Sequence, residues 1–159
     1  MTRLQLAATA ALLITGKVAY ADPCAMTIEA NDMMRYNVHE MSVPATCREV
    51  TVTLKHAGNL EAKVMGHDWV LAKSSDVSGI VNAGMAAGLA HGYLPAGDKR
   101  IIAATDVVGG GASTTVKFAT AALVEGASYA FFCTAPGHAT LMRGKFVFGD
   151  SKSVARAER

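Results

Sequence analysis

One short segment, residues 133–142, carries a thiol, an imidazole and a thioether on Cys133, His138 and Met142. Pro136-Gly137 predicts a turn within it, because proline fixes φ at the first corner and glycine accepts the positive φ of the second. Such a turn folds the segment back, so the three side chains can face one point. Thiolate, thioether and imidazole together suit copper, and two His, one Cys and a long axial Met make a blue-copper electron-transfer site.

A site of this kind needs a second imidazole, which another part of the chain must supply. The candidates are His39, His56, His67 and His91. We favour His67, because Gly66 leaves its backbone carbonyl open to close approach and an apolar strand follows that would anchor the ligand. His56 ends an alternating strand and is interpreted as a core or boundary histidine, whereas His39 and His91 are interpreted as solvated.

Most of the chain after residue 21 has the period-two alternation of short β-strands. The clearest runs are residues 49–54, 114–118, 128–132 and 145–148. Gly, Pro, Asn and Asp punctuate the intervals between them. Short strands at this spacing predict an all-β fold, specifically an antiparallel sandwich.

One stretch, residues 76–90, breaks this rhythm with apolar side chains at three- and four-residue steps. They are Val77, Ile80, Val81, Met85 and Leu89. Asp76 or Ser75 could cap a helix that begins here. The pattern therefore predicts a short helix in spite of its glycines.

Residues 1–21 have the features of an export signal. Arg3 precedes an apolar run at residues 4–14, which is too short to cross a bilayer as a helix, and Ala19-Tyr20-Ala21 offers a small-x-small cleavage pattern. We therefore expect cleavage after Ala21 and export of the remainder. Pro23 stands before Cys24 where a lipoprotein has Gly, Ala or Ser, so no membrane anchor is expected.

The remaining chain has the length of one domain, which we place at residues 22–150, followed by a polar tail at 151–159. Hydrophobic residues make up 51% and charged residues 18%, which excludes a highly charged disordered chain. Residues 22–150 hold 10 Lys and Arg against 12 Asp and Glu. This balance supplies no basic face for phosphate, so nucleic acid is not an expected partner.

The chain resembles the cupredoxin family, and within it the azurin branch, over nearly all of residues 24–148. The matching pieces are Cys24 and Cys47, Asn31-Asp32, residues 56–60, residues 64–67 with 69–71, residues 131–134, Pro136-Gly137-His138 and Leu141-Met142. The Cys-x4-His-x3-Met loop is a specific signal, since plastocyanin-like cupredoxins have a shorter Cys-to-His interval.

This resemblance implies a cofactor, a disulfide and a fold. It implies one type 1 copper per chain, bound by His67, Cys133 and His138, with Met142 and the Gly66 carbonyl as weak axial contacts. It further implies a Cys24–Cys47 disulfide and an eight-stranded Greek-key β-sandwich or barrel. The stretch at 76–90 would be a helical flap outside the barrel.

The resemblance also implies a function and a docking surface. The protein would be a monomeric periplasmic electron carrier, not an enzyme, that meets cytochrome c and redox enzymes such as nitrite reductase by transient apolar contact. The family's docking patch would here be Met34, Leu60, Met65, Ala135, Pro136, Gly137 and Leu141. The rival readings are a periplasmic copper-binding or storage protein and a copper oxidase or nitrite reductase. Two positions depart from the family: Asp68 stands where Asn is usual after the first copper histidine, and Ala135 where an aromatic is usual.

Overall fold

Two β-sheets pack into a sandwich in the computed structural model, which describes residues 22–149. The predicted signal peptide at 1–21 with its cleavage site, and the polar tail at 151–159, lie outside the described residues. The strands are β1 (Ala25–Asn31), β2 (Arg35–Tyr36), β3 (Glu40–Val43), β4 (Glu49–His56), β5 (Val70–Lys73), β6 (Ile101–Ala104), β7 (Ser113–Ala119), β8 (Tyr129–Phe132) and β9 (Arg143–Phe148). The first sheet has the order β2-β1-β4-β7 and the second β3-β9-β8-β5-β6.

The all-β sandwich predicted from the sequence is confirmed, with two differences in detail. The part of the chain that the structure describes has nine strands rather than eight, because two residues at β2 pair with the end of β1. Two pairs are parallel, β1 with β4 and β3 with β9, whereas the short strands and their spacing predict an antiparallel sandwich. Parallel neighbours arise because the chain crosses between the two sheets, so strands that are adjacent in sequence do not always pair.

The core lies between the sheets and continues under a helix. On β4 the alternating Val50, Val52 and Leu54 are fully buried, as their period-two spacing predicts. Every residue of β8 is buried, because one face meets the sandwich core and the other meets the helix described next. That two-sided burial explains the continuous apolar run of this strand.

The predicted helix forms as α2 (Val77–Ala87), after the single turn α1 (Ala62–Met65). Val77 and Ile80 on α2 pack against β8, which fixes the helix on the outer face of the second sheet. Asp76 makes no side-chain cap, and its carbonyl instead accepts the Ile80 N–H at 3.0 Å. Among residues 22–149, the helices are all too short or too polar to traverse a lipid bilayer.

The Cys24–Cys47 disulfide implied by the resemblance is present, with Cα atoms 5.7 Å apart. It joins the starts of β1 and β4, and Cys133 is the remaining free cysteine. The other end of β4 is His56, whose ring stacks on His67. The eight residues of β4 therefore separate the disulfide from the His67 end of the sandwich by about 25 Å.

Candidate metal centre

Three buried side chains, His67, Cys133 and His138, bring their donor atoms within 4.8 Å of one another. The Cys133 Sγ atom lies 3.9 Å from His67 Nδ1 and 3.5 Å from His138 Nδ1. His67 lies just before β5 and Cys133 directly follows β8. Since Val70 of β5 pairs with Phe132 of β8, the ladder brings the two ends side by side.

The loop from Cys133 to Met142 closes on itself through backbone hydrogen bonds. The Cys133 N–H donates to the Met142 carbonyl at 3.0 Å, and the Met142 N–H donates to the His138 carbonyl at 2.7 Å. Gly137 has φ +82°, which is the left-handed corner that the Pro-Gly pair predicts. These bonds bring His138 back towards Cys133 and leave Met142 fully buried.

The His67 ring is oriented by a carbonyl from another strand. Its Nε2 lies 2.8 Å from the Asn31 carbonyl oxygen, which can only accept, so Nε2 carries the proton. The Nδ1 lone pair therefore faces the Cys133 sulfur. Burial lowers the pKa of His67 to about 4, so the ring is neutral near pH 7, which is the form that binds metals.

Gly66 is required by packing at the position before His67. A Cβ atom there would lie 2.3 Å from the Ala62 carbonyl oxygen and 2.6 Å from a Val107 methyl group. Only glycine allows the chain to pass this close to both groups. The axial roles of the Gly66 carbonyl and the Met142 thioether stay predictions.

The Cys133 thiol is fully buried, and its surroundings keep it protonated. Burial, and then the nearby Asp68 carboxyl, raise the pKa of Cys133 well above its usual value. A thiol must lose its proton to bind a metal strongly, so metal binding at this position displaces a proton.

The other histidines do not contribute donors. His56 is buried, with Nδ1 accepting the Gly58 N–H at 3.0 Å and Nε2 donating to the Met65 carbonyl at 2.8 Å. Both of its ring nitrogens are therefore in use. His39 and His91 are exposed, as their interpretation from sequence predicts.

The Asp68 carboxylate joins the segment of His67 to the segment of Cys133 by hydrogen bonds, and no motif in the sequence predicts its partner. Its Oδ1 accepts the Thr134 N–H at 2.7 Å and its Oδ2 accepts the Thr134 hydroxyl at 2.5 Å. The residue after His67 is thereby fixed to the residue after Cys133. Tyr36 adds a hydrogen bond from its hydroxyl to the Asp68 backbone carbonyl. Burial raises the pKa of Asp68 to about 6, against the opposing effect of the Thr134 bonds.

The residues predicted to form a docking patch differ in exposure. Leu141 and Leu60 are 53% and 40% exposed, and Pro136 and Gly137 are also exposed. Met34 and Met65 are partly buried, whereas Ala135 is buried and offers almost no surface. Met33, which is not among the predicted patch residues, is 69% exposed beside Met34.

Two imidazoles and a thiol that converge between paired strands of a β-sandwich, with a buried methionine on the same loop, define a blue copper protein of the cupredoxin class. Copper fits this donor set, because a soft thiol and neutral imidazoles are its preferred ligands. Their Nδ1 and Sγ atoms already face one another.

Comparison with known proteins agrees with this class. The family model for copper binding proteins of the plastocyanin/azurin family matches residues 22–149. Azurin from Achromobacter denitrificans is 49% identical over 124 residues, which cover 78% of this chain and 83% of that protein. Azurin from Pseudomonas aeruginosa is 43% identical over 140 residues, covering 88% and 95%. The solved structure of azurin iso-2 from Methylomonas sp. strain J superposes with a TM-score of 0.77 at 42% identity, covering 80% of this chain and 98% of that one.

The chain therefore belongs to the plastocyanin/azurin family of copper-binding proteins. Its cofactor is copper, and it is a blue copper electron-transfer protein.

We expect Asp68→Asn to raise the reduction potential of the copper-loaded protein at pH 8, where the Asp68 carboxyl is ionised. Asparagine fits the same space: its oxygen can accept the Thr134 N–H, and the Thr134 hydroxyl can turn to the Gly92 carbonyl, 3.3 Å away. Removing the carboxylate charge destabilises Cu(II) more than Cu(I). A one-electron couple moves about 59 mV for 1.4 kcal/mol, so a rise on the order of 60 mV is expected. Equal potentials in a redox titration of both proteins would show that the carboxylate does not influence the metal.

Proposed function

We propose that this protein is an exported, periplasmic electron carrier that moves single electrons between cytochromes c and redox enzymes such as nitrite reductase. The observation that carries the proposal is the burial of the donors: His67, Cys133 and Met142 are 0% exposed and His138 is 6% exposed. A substrate cannot reach donors enclosed in this way, whereas an electron can cross a few ångströms of protein. The protein is accordingly a carrier and not an enzyme.

We further propose His67 Nδ1, Cys133 Sγ and His138 Nδ1 as the copper ligands, with Met142 and the Gly66 carbonyl as weak axial contacts. Copper bound there supplies a reversible one-electron couple between Cu(II) and Cu(I). The chain holds the donors still: the β5–β8 ladder, the Asn31 carbonyl and the Asp68–Thr134 bonds fix their positions. Rigid donors change little between the two oxidation states, which favours fast transfer.

Docking is proposed at the apolar surface around His138. His138 is the donor residue nearest to solvent, and Pro136, Gly137 and Leu141 beside it are exposed. A partner that docks on these residues therefore approaches the donor atoms more closely than a partner that docks on another face of the protein. With 10 basic against 12 acidic residues in 22–150, the domain adds little long-range attraction, so the contact is apolar and transient.

The location and the oligomeric state belong to the same proposal. Residues 1–21 have the pattern of an export signal cleaved after Ala21, and the Cys24–Cys47 disulfide suits an oxidising compartment such as the periplasm. A carrier that exposes its docking patch to several partners acts as a monomer, because self-association through that patch would cover it.

We expect Met65→Lys to slow electron exchange with a cytochrome c about tenfold and to leave the copper spectrum unchanged. A partner that approaches the patch must strip water from the new ammonium, which weakens an apolar contact. Stopped-flow reduction of the copper-loaded protein measures the rate. Val124→Lys is the matched control, because Val124 is 65% exposed and follows the turn Thr120–Ala122. The Thr120 hydroxyl of this turn donates to the carbonyl of the disulfide residue Cys47, at the end of the sandwich away from the patch.

The salt dependence of the same reaction tests whether the contact is apolar. The wild-type rate should change little with ionic strength, since few charges are screened. A steep fall with salt, or equal rates for Met65→Lys and Val124→Lys, would contradict docking at this patch. A wild-type protein that binds copper but exchanges no electrons with cytochromes c would indicate copper storage instead.

A further inference from the structure

The Asp32 carboxylate links two turns that are far apart in sequence. Its Oδ2 accepts the Asn59 N–H at 2.7 Å and its Oδ1 accepts the Leu60 N–H at 3.3 Å. The bond from Asn59 is the main cause that lowers the pKa of Asp32, so the group is a carboxylate at neutral pH. One side chain on the turn after β1 therefore holds the backbone of the turn after β4.

The receiving turn is shaped for this carboxylate. A Cβ atom on Gly58 would lie 2.2 Å from Asp32 Oδ1 and 2.3 Å from its Cγ, so the carboxylate occupies the space that a side chain would need. The backbone of Gly58 is not in the left-handed region, so its φ does not explain why this position is a glycine. The close contact with the Asp32 carboxylate does. The turn after β4 thus seats Asp32 by both hydrogen bonds and shape.

The turn that carries Asp32 also holds the metal centre. The Asn31 carbonyl accepts two hydrogen bonds, from His67 Nε2 at 2.8 Å and from the Met34 N–H at 3.1 Å. The backbone of Met34 has φ +53°, a conformation that residues other than glycine rarely adopt. The contacts around Met34 must therefore stabilise it. A single carbonyl thereby connects the His67 ring to a residue of the proposed docking patch.

We propose that Asp32 is a positioning residue that holds the Asn31 carbonyl against His67 and sets the spacing of Met34 and Leu60 in the docking patch. The second half of this inference rests on the proposed function, because it assumes that partners dock on the patch. When Asp32 is removed, the turn after β1 loses its only side-chain tie to the turn after β4 among the described residues. The hydrogen bond of the His67 ring proton is then weakened, and the positions of the patch residues Met34 and Leu60 become less fixed.

Asp32→Ala tests the first half in the metal-free and in the Cu(I)-loaded protein, both diamagnetic. NMR measures solvent exchange of the His67 Nε2 proton and of the Asn59 and Leu60 amides. We expect the exchange rates of the Asn59 and Leu60 amides to rise at least about tenfold, because their hydrogen bonds to a charged group are lost. The exchange rate of the His67 Nε2 proton should rise with them, because the Asn31 carbonyl that accepts this proton is no longer held in place. Asp32→Asn keeps the shape and one acceptor, so an intermediate effect is expected. Glu61→Gln is the matched control, because it removes one negative charge from the residue that directly follows Leu60. The Glu61 side chain pairs only with the exposed Lys63.

Gly58→Ala provides an independent variant in case Asp32→Ala does not fold. Its new methyl group displaces the carboxylate without changing any charge, so it should speed the same three exchanges. The inference is overturned if the Asn59 and Leu60 amides lose protection while the His67 ring proton exchanges as in Glu61→Gln. Asp32 would then be a local tie with no effect on the metal ligand.

Electron self-exchange between Cu(I) and Cu(II) copies of the protein tests the second half. We expect Asp32→Ala and Gly58→Ala to slow it severalfold and Glu61→Gln to leave it unchanged. Unchanged rates in all three variants would overturn the claim about the patch. A wild-type protein without a blue absorption band would instead contradict the proposed function, and the ring-proton experiment on the metal-free protein would still decide the first half.

Discussion

Cys133→Ser is expected to abolish the blue colour of the copper-loaded protein while leaving the sandwich folded. The colour of such sites comes from charge transfer between a thiolate and copper, and Cys133 is the only cysteine outside the disulfide. A serine hydroxyl is a hard, weakly acidic donor that cannot replace it. The core strands and the Cys24–Cys47 bond do not depend on this side chain, so the fold should survive.

Titration with Cu(II), followed by visible absorption, measures this effect, and far-UV circular dichroism checks the fold. Ala139→Ser is the matched control, because it places a hydroxyl on the same loop without removing a donor. It should stay blue. An intensely blue Cys133→Ser protein would show that the thiol is not a copper ligand.

The second large effect is the stability of the metal-free protein after Asp68→Asn. Burial raises the pKa of Asp68 to about 6, from 3.8 in the unfolded chain. Between pH 4 and pH 6, therefore, the Asp68 carboxyl is protonated in the folded state and ionised in the unfolded state. The free energy of unfolding of the wild type falls as pH rises through this range. The asparagine variant carries no such proton. It should be more stable than wild type above pH 6, by up to about 3 kcal/mol, and no more stable below pH 4.

Urea unfolding of both metal-free proteins at pH 4, 6 and 8 measures this difference. Comparing two variants at each pH cancels the titration of His67, which is common to both. Asp106→Asn is the control, because that side chain is exposed and its replacement should change stability little at any pH. A difference between wild type and Asp68→Asn that is constant across the three pH values would contradict an ionised, buried carboxylate.

The fold of the loop from Cys133 to Met142 could be predicted because its information is local. Cys133, His138 and Met142 are separated by a few residues, and Pro136-Gly137 specifies the turn that brings them together. His67 could be singled out by the glycine before it. The supporting bonds could not be read in the same way, since Asp68 meets Thr134 across 66 residues and His67 meets a backbone carbonyl 36 residues away. A carbonyl has no signature in the sequence at all.

The strands show the same division between local and distant information. The alternation of Val50, Val52 and Leu54 identified β4, and the mixed apolar steps identified α2. Alternation reports which face of a strand is buried but not which strand lies beside it. The alternation pattern therefore could not predict the parallel β1–β4 and β3–β9 pairs. The buried run of β8 likewise became intelligible only once α2 was found on its outer face.

The length of β4 also decides how the three cysteines behave while the protein matures. In an unfolded chain any thiolate can attack a disulfide, and shuffled pairings follow. In the folded protein Cys133 is buried and protonated, and about 25 Å of β4 separates its end of the sandwich from the Cys24–Cys47 bond. Distance, burial and protonation therefore prevent the Cys133 thiol from attacking the Cys24–Cys47 disulfide. The fold thus keeps the free Cys133 thiol away from the Cys24–Cys47 disulfide.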